Sequence, residues 1–322
     1  MVKLIQVGIG GMGNTWLNAV KASDEVDYAA LVEISPATAE AQAQKHGLDC
    51  MLIFGSLPEA LARVQADGVI VVTPPQTHRD LAVAAMRAGL PVLSEKPLAD
   101  TREAAADIVR VSQETGMLHM VAQNYRYSRP VQTLKRVLQS GQLGPIGAVT
   151  IHFFRGPHFG GFREAMPFPL IMDMSIHHFD MLRFFLDQDP VGVAGRSWNP
   201  AWSWFQGDAA ASVVITFEAA VATYTGSWCA QGADTPWNGH WRFDCADGVA
   251  LLEEDRVWTQ RRGGERAEAP LVDLPLTAQP YLLHEFVTAI TTGRQPATTC
   301  FDNIKSLQIV LDAIASFGRH GC

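Results

Sequence analysis

Apolar and polar positions follow two different rhythms along this chain. Up to about residue 121, short apolar runs alternate with stretches whose apolar positions repeat at helical spacing. Residues 3–8, 26–32, 68–72 and 91–94 are the apolar runs and are predicted strands. The Ala- and Leu-rich stretches 12–22, 37–46 and 77–88 are predicted helices. Buried strands alternating with helices point to βαβ units and a parallel sheet covered on both faces.

Beyond residue 145 the rhythm shortens. Residues 146–155, 209–217, 221–230, 239–245, 248–253 and 271–274 are predicted strands, several joined by short turns, which is the pattern of an antiparallel sheet. A helix is predicted over 171–186, and two more over 281–292 and 301–317 close the chain. The expected fold is an α/β Rossmann domain, a doubly wound parallel sheet, over 1–122. An α+β domain with a large, mostly antiparallel open sheet occupies 123–322, its C-terminal helix free to pack back on the first.

A chain of 322 residues is long enough for two domains. With 48% hydrophobic and 18% charged residues it has the material for packed cores, so disorder is excluded. A net charge of −8 without any Lys/Arg run leaves no track for a nucleic-acid backbone. The five cysteines, at 50, 229, 245, 300 and 322, are odd in number and widely spaced, which suits reduced thiols better than a disulfide framework. The first strand starts at Lys3, leaving no room for a signal peptide, and no apolar run is long enough to span a membrane. The expectation is a soluble, cytoplasmic protein.

The sequence VGIGGMG sets Gly8, Gly10 and Gly13 in a G-x-G-x-x-G arrangement between a predicted strand and a predicted helix. Glycine there permits the tight turn, lets backbone approach a pyrophosphate, and lets the helix pack on the sheet. The helix N-terminus offers N–H groups to phosphate. Gly8, Gly10, Gly11, Met12 and Gly13 are therefore candidate cofactor contacts. Glu33 ends the second strand and is placed to accept hydrogen bonds from a ribose 2′-hydroxyl while repelling a 2′-phosphate. No Arg or Lys comes after it until Lys45. NAD is favoured over NADP. A glycine turn binding another phosphate, or nothing, is the bland alternative.

With this turn in place, three further segments make the chain resemble the Gfo/Idh/MocA oxidoreductases (glucose-fructose oxidoreductase and inositol dehydrogenase among them). They are Thr73, Pro74 and His78 in VTPPQTH, then Glu95-Lys96-Pro97, then Asp173, His177 and Asp180 in DMSIHHFD. Their order and spacing run over essentially the whole chain. Two departures stand out: Ser175 replaces the family's usual glycine, and MPFPLI precedes Asp173 where many members carry a glycine run.

The stretch 171–186 is apolar almost all round, so burying Asp173, His177 and Asp180 requires partners or a cavity. Their i, i+4, i+7 spacing puts them on one helix face, with His178 off it. Plainer roles exist: a helix cap for Asp173, a core histidine for His177, a backbone or arginine partner for Asp180. A metal held by His177, His178 and the carboxylates lacks any recognised spacing. Lys96 lies just past a parallel strand's C-terminal end, where doubly wound sheets gather ligands. Partial burial beside a cationic nicotinamide would suit it to proton exchange; a surface lysine beside a proline turn is the alternative.

The resemblance implies hydride transfer between NAD and a secondary alcohol or ketone of a sugar, inositol or related polyol. Lys96, Asp173 and His177 would be catalytic. Thr73, Pro74, His78, Glu95 and Lys96 would join the glycine turn and Glu33 around the cofactor. Tyr125, Arg126, His158 and Arg163, with Asp173 and His177, would hold the substrate. His177 would exchange the hydroxyl proton, Asp173 orient and charge it, and Lys96 bond the alkoxide, the roles of Lys96 and His177 being interchangeable. A homodimer or homotetramer through the C-terminal sheet is implied as well. An NAD-dependent glycosidase that oxidises its substrate only transiently, or a non-catalytic NAD-binding regulator, fits the same fold.

Overall fold

In the computed structural model, which describes residues 1–318, the chain divides into two compact units. The first comprises Met1–Asn124 and Leu276–Ile304. It runs β1 (Val2–Val7), α1 (Gly13–Lys21), β2 (Val26–Val32), α2 (Pro36–His46), β3 (Ile53–Phe54), α3 (Leu57–Arg63), β4 (Gly68–Val71), α4 (His78–Arg87), β5 (Val92–Ser94), α5 (Arg102–Thr115) and β6 (His119–Val121). All six strands are parallel, in the order β3-β2-β1-β4-β5-β6. β1 lies where that order reverses, and its apolar residues are buried because helices cover both faces. Local signals set the helix ends: Ser35 accepts from the Thr38 N–H, Pro36 opens α2, and Gly47 closes it with a left-handed φ of 66°. β3 and β6, with two and three residues, are too short for a periodic pattern and escape sequence reading.

The second unit comprises Tyr125–Pro275 and the chain from Lys305 onward. It holds α6 (Arg129–Gln139), β7 (Ile146–Phe154), a π-helical turn over Leu170–Ser175, and α7 (Ile176–Leu186). Its remaining strands are β8 (Gly192–Trp198), β9 (Ala210–Thr216), β10 (Val221–Ser227), β11 (His240–Cys245), β12 (Gly248–Glu253), β13 (Arg256–Arg261) and β14 (Arg266–Ala269). The sheet order is β14-β13-β12-β11-β7-β10-β9-β8, antiparallel throughout except for the parallel β7–β10 pair. Along β10, Ala222, Tyr224 and Gly226 are buried, while Val221 and Thr223 face out. Aromatic rings from the inner face and α7 pack edge to face, as in Phe179–Tyr224 and Phe185–Trp241, both at 5.2 Å. The chain ends with α8 (Ala278–Thr292) and α9 (Cys300–Phe317).

Three expectations change. Residues 271–274 form no strand: Val272 donates its N–H to Thr133 Oγ1 and its carbonyl accepts from Arg129 Nε, so side chains of α6 satisfy this backbone. β8 and the charged β13 and β14 are additional strands whose sequences lack an apolar alternation. The helix expected over 171–186 is a π turn succeeded by α-helix. Cys50, Cys229, Cys245 and Cys300 are free thiols, and Cys322 lies outside the described residues. No helix among the described residues is long and apolar enough to cross a membrane.

Two core histidines make the fold acid-sensitive. Burial pushes the pKa of His119 down to about 3 and that of His178 down to about 4. Each stays neutral in the fold while the unfolded chain takes a proton near the ordinary 6.5. Stability is therefore full above that pH and declines as pH falls towards 4. Each group should cost about 1.4 kcal/mol per pH unit across that window. Denaturant titrations from pH 7.5 to pH 5 should show this slope, and His178→Phe should remove about half of it, leaving the share of His119. An unchanged slope in that variant would count against the assignment.

Candidate active site

In the first unit the glycine turn comes directly after β1. Gly8 has a φ of +89°, and a Cβ there would stand 2.2 Å from the Val72 carbonyl oxygen. A Cβ on Gly13 would lie 2.4 Å from the Gly8 carbonyl oxygen. Both positions therefore demand glycine. Gln6, a polar residue inside an apolar strand, braces the turn by donating from Nε2 to the carbonyls of Gly8 and Gly13, each at 3.0 Å. Tyr28 holds Gln6 in turn. Sequence reading missed Gln6, although a glutamine in KLIQVG was the signal. Gly10, Gly11 and Met12 are not buried, and no side chain caps the N-terminus of α1. Its first N–H groups are thus free of a side-chain acceptor, which suits a phosphate.

Glu33 directly follows β2, and its carboxylate accepts from the N–H groups of Ile9 (3.3 Å) and Ser35 (3.0 Å). It stitches the glycine turn to the start of α2 and fixes where its remaining lone pairs point. Lys45, the first cation after Glu33, is turned to Asn14 Oδ1 at 2.7 Å.

Thr73 and Pro74 lie just past β4, and the Thr77 hydroxyl bonds Thr73 Oγ1 at 2.7 Å. Two residues expected at the cofactor, His78 and Glu95, make internal hydrogen bonds that brace their loops. His78 is fully buried, with Nδ1 2.9 Å from the Pro97 carbonyl oxygen and Nε2 2.8 Å from that of Thr73. It ties the two loops together and has no ring nitrogen to present to a ligand. Burial pushes its pKa down, against the upward pull of those carbonyls. Glu95 is likewise buried: Oε1 accepts from Trp16 Nε1 (2.8 Å) and Oε2 from the Lys96 N–H (3.2 Å). Lys96, on the loop so braced, is only partly buried.

In the second unit four of the expected residues come together. Arg163 Nε donates to Asp173 Oδ2 at 2.6 Å. The Tyr125 ring stacks on the His177 ring with centroids 4.1 Å apart and planes 12° apart. Burial pushes the Tyr125 hydroxyl pKa up; the Asp173 carboxylate adds to the rise and Arg155 opposes it. Tyr125 thus lies in the field of Asp173 and also of Arg155, a residue without an assigned role in the sequence reading. Arg155 packs over Trp237 at 4.3 Å and donates to the Thr235 carbonyl. Arg163 is flanked by Phe159 and Phe162, and His158 stacks on Trp204 at 3.8 Å.

Asp180 and Arg126 are elsewhere. Both are buried and bidentate to each other, at 2.5 and 2.7 Å, and Asp180 Oδ1 also accepts from the Ser306 hydroxyl. The expectation that Arg126 binds substrate is corrected: its guanidinium is consumed by a core ion pair. The shared face expected for Asp173, His177 and Asp180 fails because the π turn inserts a wider step after Asp173. His178 sits among Phe153, Tyr224 and Trp241 with Nε2 near the Trp237 carbonyl, a core histidine. Among the described residues no group of three or more His, Cys, Asp or Glu could hold a metal ion.

Known proteins resemble this chain in sequence and in fold. Residues 2–123 match the family model described as oxidoreductase family, NAD-binding Rossmann fold, and residues 131–250 match the GFO/IDH/MocA C-terminal domain. The chain belongs to the GFO/IDH/MocA oxidoreductase family. Among its GFO/IDH/MocA relatives, the inositol 2-dehydrogenase of Paracoccus denitrificans is 29% identical, over 94% of this chain and 89% of its own. The 1,5-anhydro-D-fructose reductase of Ensifer adhaerens is 26% identical, over 94% and 92%. An oxidoreductase from Agrobacterium radiobacter, solved in complex with NAD+, L-tartaric acid and magnesium, shares the fold with a TM-score of 0.90 at 21% identity, covering 99% of this chain and 96% of its own.

Proposed function

We propose that this chain is an NAD-dependent dehydrogenase that moves a hydride between the cofactor and a secondary alcohol or ketone of a sugar, inositol or related polyol. The observation that carries this reading is the grouping of Asp173, His177, Tyr125 and Arg163 in a family whose other domain binds NAD. The cofactor fits the first unit on its own terms: a glycine turn that admits no Cβ, an uncapped helix N-terminus, and a carboxylate fixed at the end of β2. Gly10, Gly11 and Met12 would meet the pyrophosphate, Glu33 a ribose hydroxyl, and Thr73, Pro74 and Lys96 the rest. When bound, NAD supplies the acceptor or donor of the hydride.

The protein's own work is positioning and proton handling. His177 exchanges the proton of the reacting hydroxyl, its ring plane set by the Tyr125 stack. Asp173 orients and charges it, and Arg163 holds that carboxylate in place. Lys96 hydrogen-bonds the oxygen that becomes the alkoxide. His158 and Tyr125 offer flat rings to a sugar face. The outward face of the large sheet, where Val214 and Val221 are exposed, is the surface we assign to self-association.

The test is nicotinamide absorbance after mixing the protein with NAD and a panel of sugars, inositols and sugar acids, with NADP in parallel. NADH should grow on at least one polyol and faster than NADPH. Sugar release from a glycoside without net NADH would replace this reading with the glycosidase. NAD binding with silence across the panel would point to a regulator.

A further inference from the structure

The residues that separate Asp173 from His177 include a fully buried serine with two neighbours. Ser175 Oγ lies 3.1 Å from the Leu170 carbonyl oxygen and 2.9 Å from the Tyr224 hydroxyl oxygen. We propose that Ser175 and Tyr224 act as a positioning pair that holds the π turn open and thereby aims Asp173 and His177. This rests on the catalytic reading of those two residues given under Proposed function.

A serine hydroxyl has one proton, and a carbonyl can only accept. The Ser175 proton therefore goes to Leu170, and the Tyr224 O–H donates to Ser175. The first bond spans Leu170 to Ser175, the two ends of the π turn. In a π turn the donor lies five positions after the acceptor, and such turns are rare single-turn interruptions of α-helices. The second bond ties that brace to β10, in the sheet. Tyr224 is itself immobilised. Its ring packs against Phe179 at 5.2 Å and His178 at 5.7 Å. A Cβ on Gly226 would stand 2.8 Å from its hydroxyl oxygen, so glycine there leaves room for the tyrosine head.

The consequence is angular. In an uninterrupted α-helix, Asp173 and His177 would stack one turn apart on one face. Because Asp173 lies inside the wider π turn, it is rotated away from the position that a continuous α-helix would give it relative to α7. Asp173 then meets Arg163, while His177 meets Tyr125.

Two variants test the pair, Ser175→Ala and Tyr224→Phe, the second keeping the ring packing if the first folds poorly. Each should lower kcat for polyol oxidation about tenfold with KM changed less than about threefold, because misaimed groups cost turnover before binding. The double variant should be no slower than the slower single one, since both remove one device. The 15N-imidazole signals of His177, read without substrate, should move in both variants. Unchanged kcat, losses that multiply in the double variant, or imidazole signals that stay in place while only Tm falls would each overturn the proposal. If the wild type turns over nothing, the functional reading fails, yet the imidazole signals still decide whether the pair aims His177.

Discussion

Replacing Lys96 with methionine is expected to weaken NAD by no more than about tenfold, the loss of one contact among many, while kcat falls by about 10²–10⁴-fold, the range for losing a positioned proton-transfer or alkoxide-bonding group. Methionine keeps the length and apolar stem of the side chain but has neither charge nor donor. The loop should keep its shape. Glu95 bonds the Lys96 backbone N–H, which the substitution keeps, and His78 holds the Pro97 carbonyl. Steady-state turnover and a fluorescence titration with NAD separate the two effects. A variant with near-normal kcat would remove Lys96 from the reaction. A larger loss in His177→Asn than in Lys96→Met would make the histidine the main acid–base group.

Asp180 should behave in the opposite way. Asp180→Asn leaves the Arg126 guanidinium buried without its counter-charge, and a single amide oxygen replaces the two carboxylate oxygens that accept from Arg126 and the Ser306 hydroxyl. Breaking a buried pair from one side costs about 3–5 kcal/mol. For a unit of this size that lowers Tm by roughly 10 °C. At a temperature where the variant is folded, kcat should stay within about threefold of wild type, because catalytic groups lost from a site cost far more. Thermal melts and turnover on the same preparation decide it. Lost turnover at unchanged Tm would return Asp180 to the active site.

These two residues mark what a sequence can and cannot convey. The glycine turn was legible because physics leaves one choice: at Gly8 a left-handed φ and a carbonyl at 2.2 Å exclude any side chain. The parallel sheet was legible because β1, β2 and β4 are buried on both faces and read as apolar runs. The helix ending at Leu186 was legible as a buried element, but its π turn was not, since one extra residue leaves no periodic trace in six. That hidden step is why Asp180 read as a companion of Asp173. The Arg126–Asp180 pair joins positions 54 apart, a contact that spacing does not encode. His78 and Glu95 were identified as residues that matter, and the sequence could not say whether they face a ligand or hold the loops that do.

The central claim is a hydride moving from a carbinol carbon to the cofactor. The most direct test uses a turned-over polyol carrying deuterium at the reacting carbon, with the nicotinamide product examined for label. The account predicts one deuterium in NADH at C4 and a slower rate with the labelled substrate. NADH without label, or deuterium retained in a released sugar with no net NADH, would contradict it.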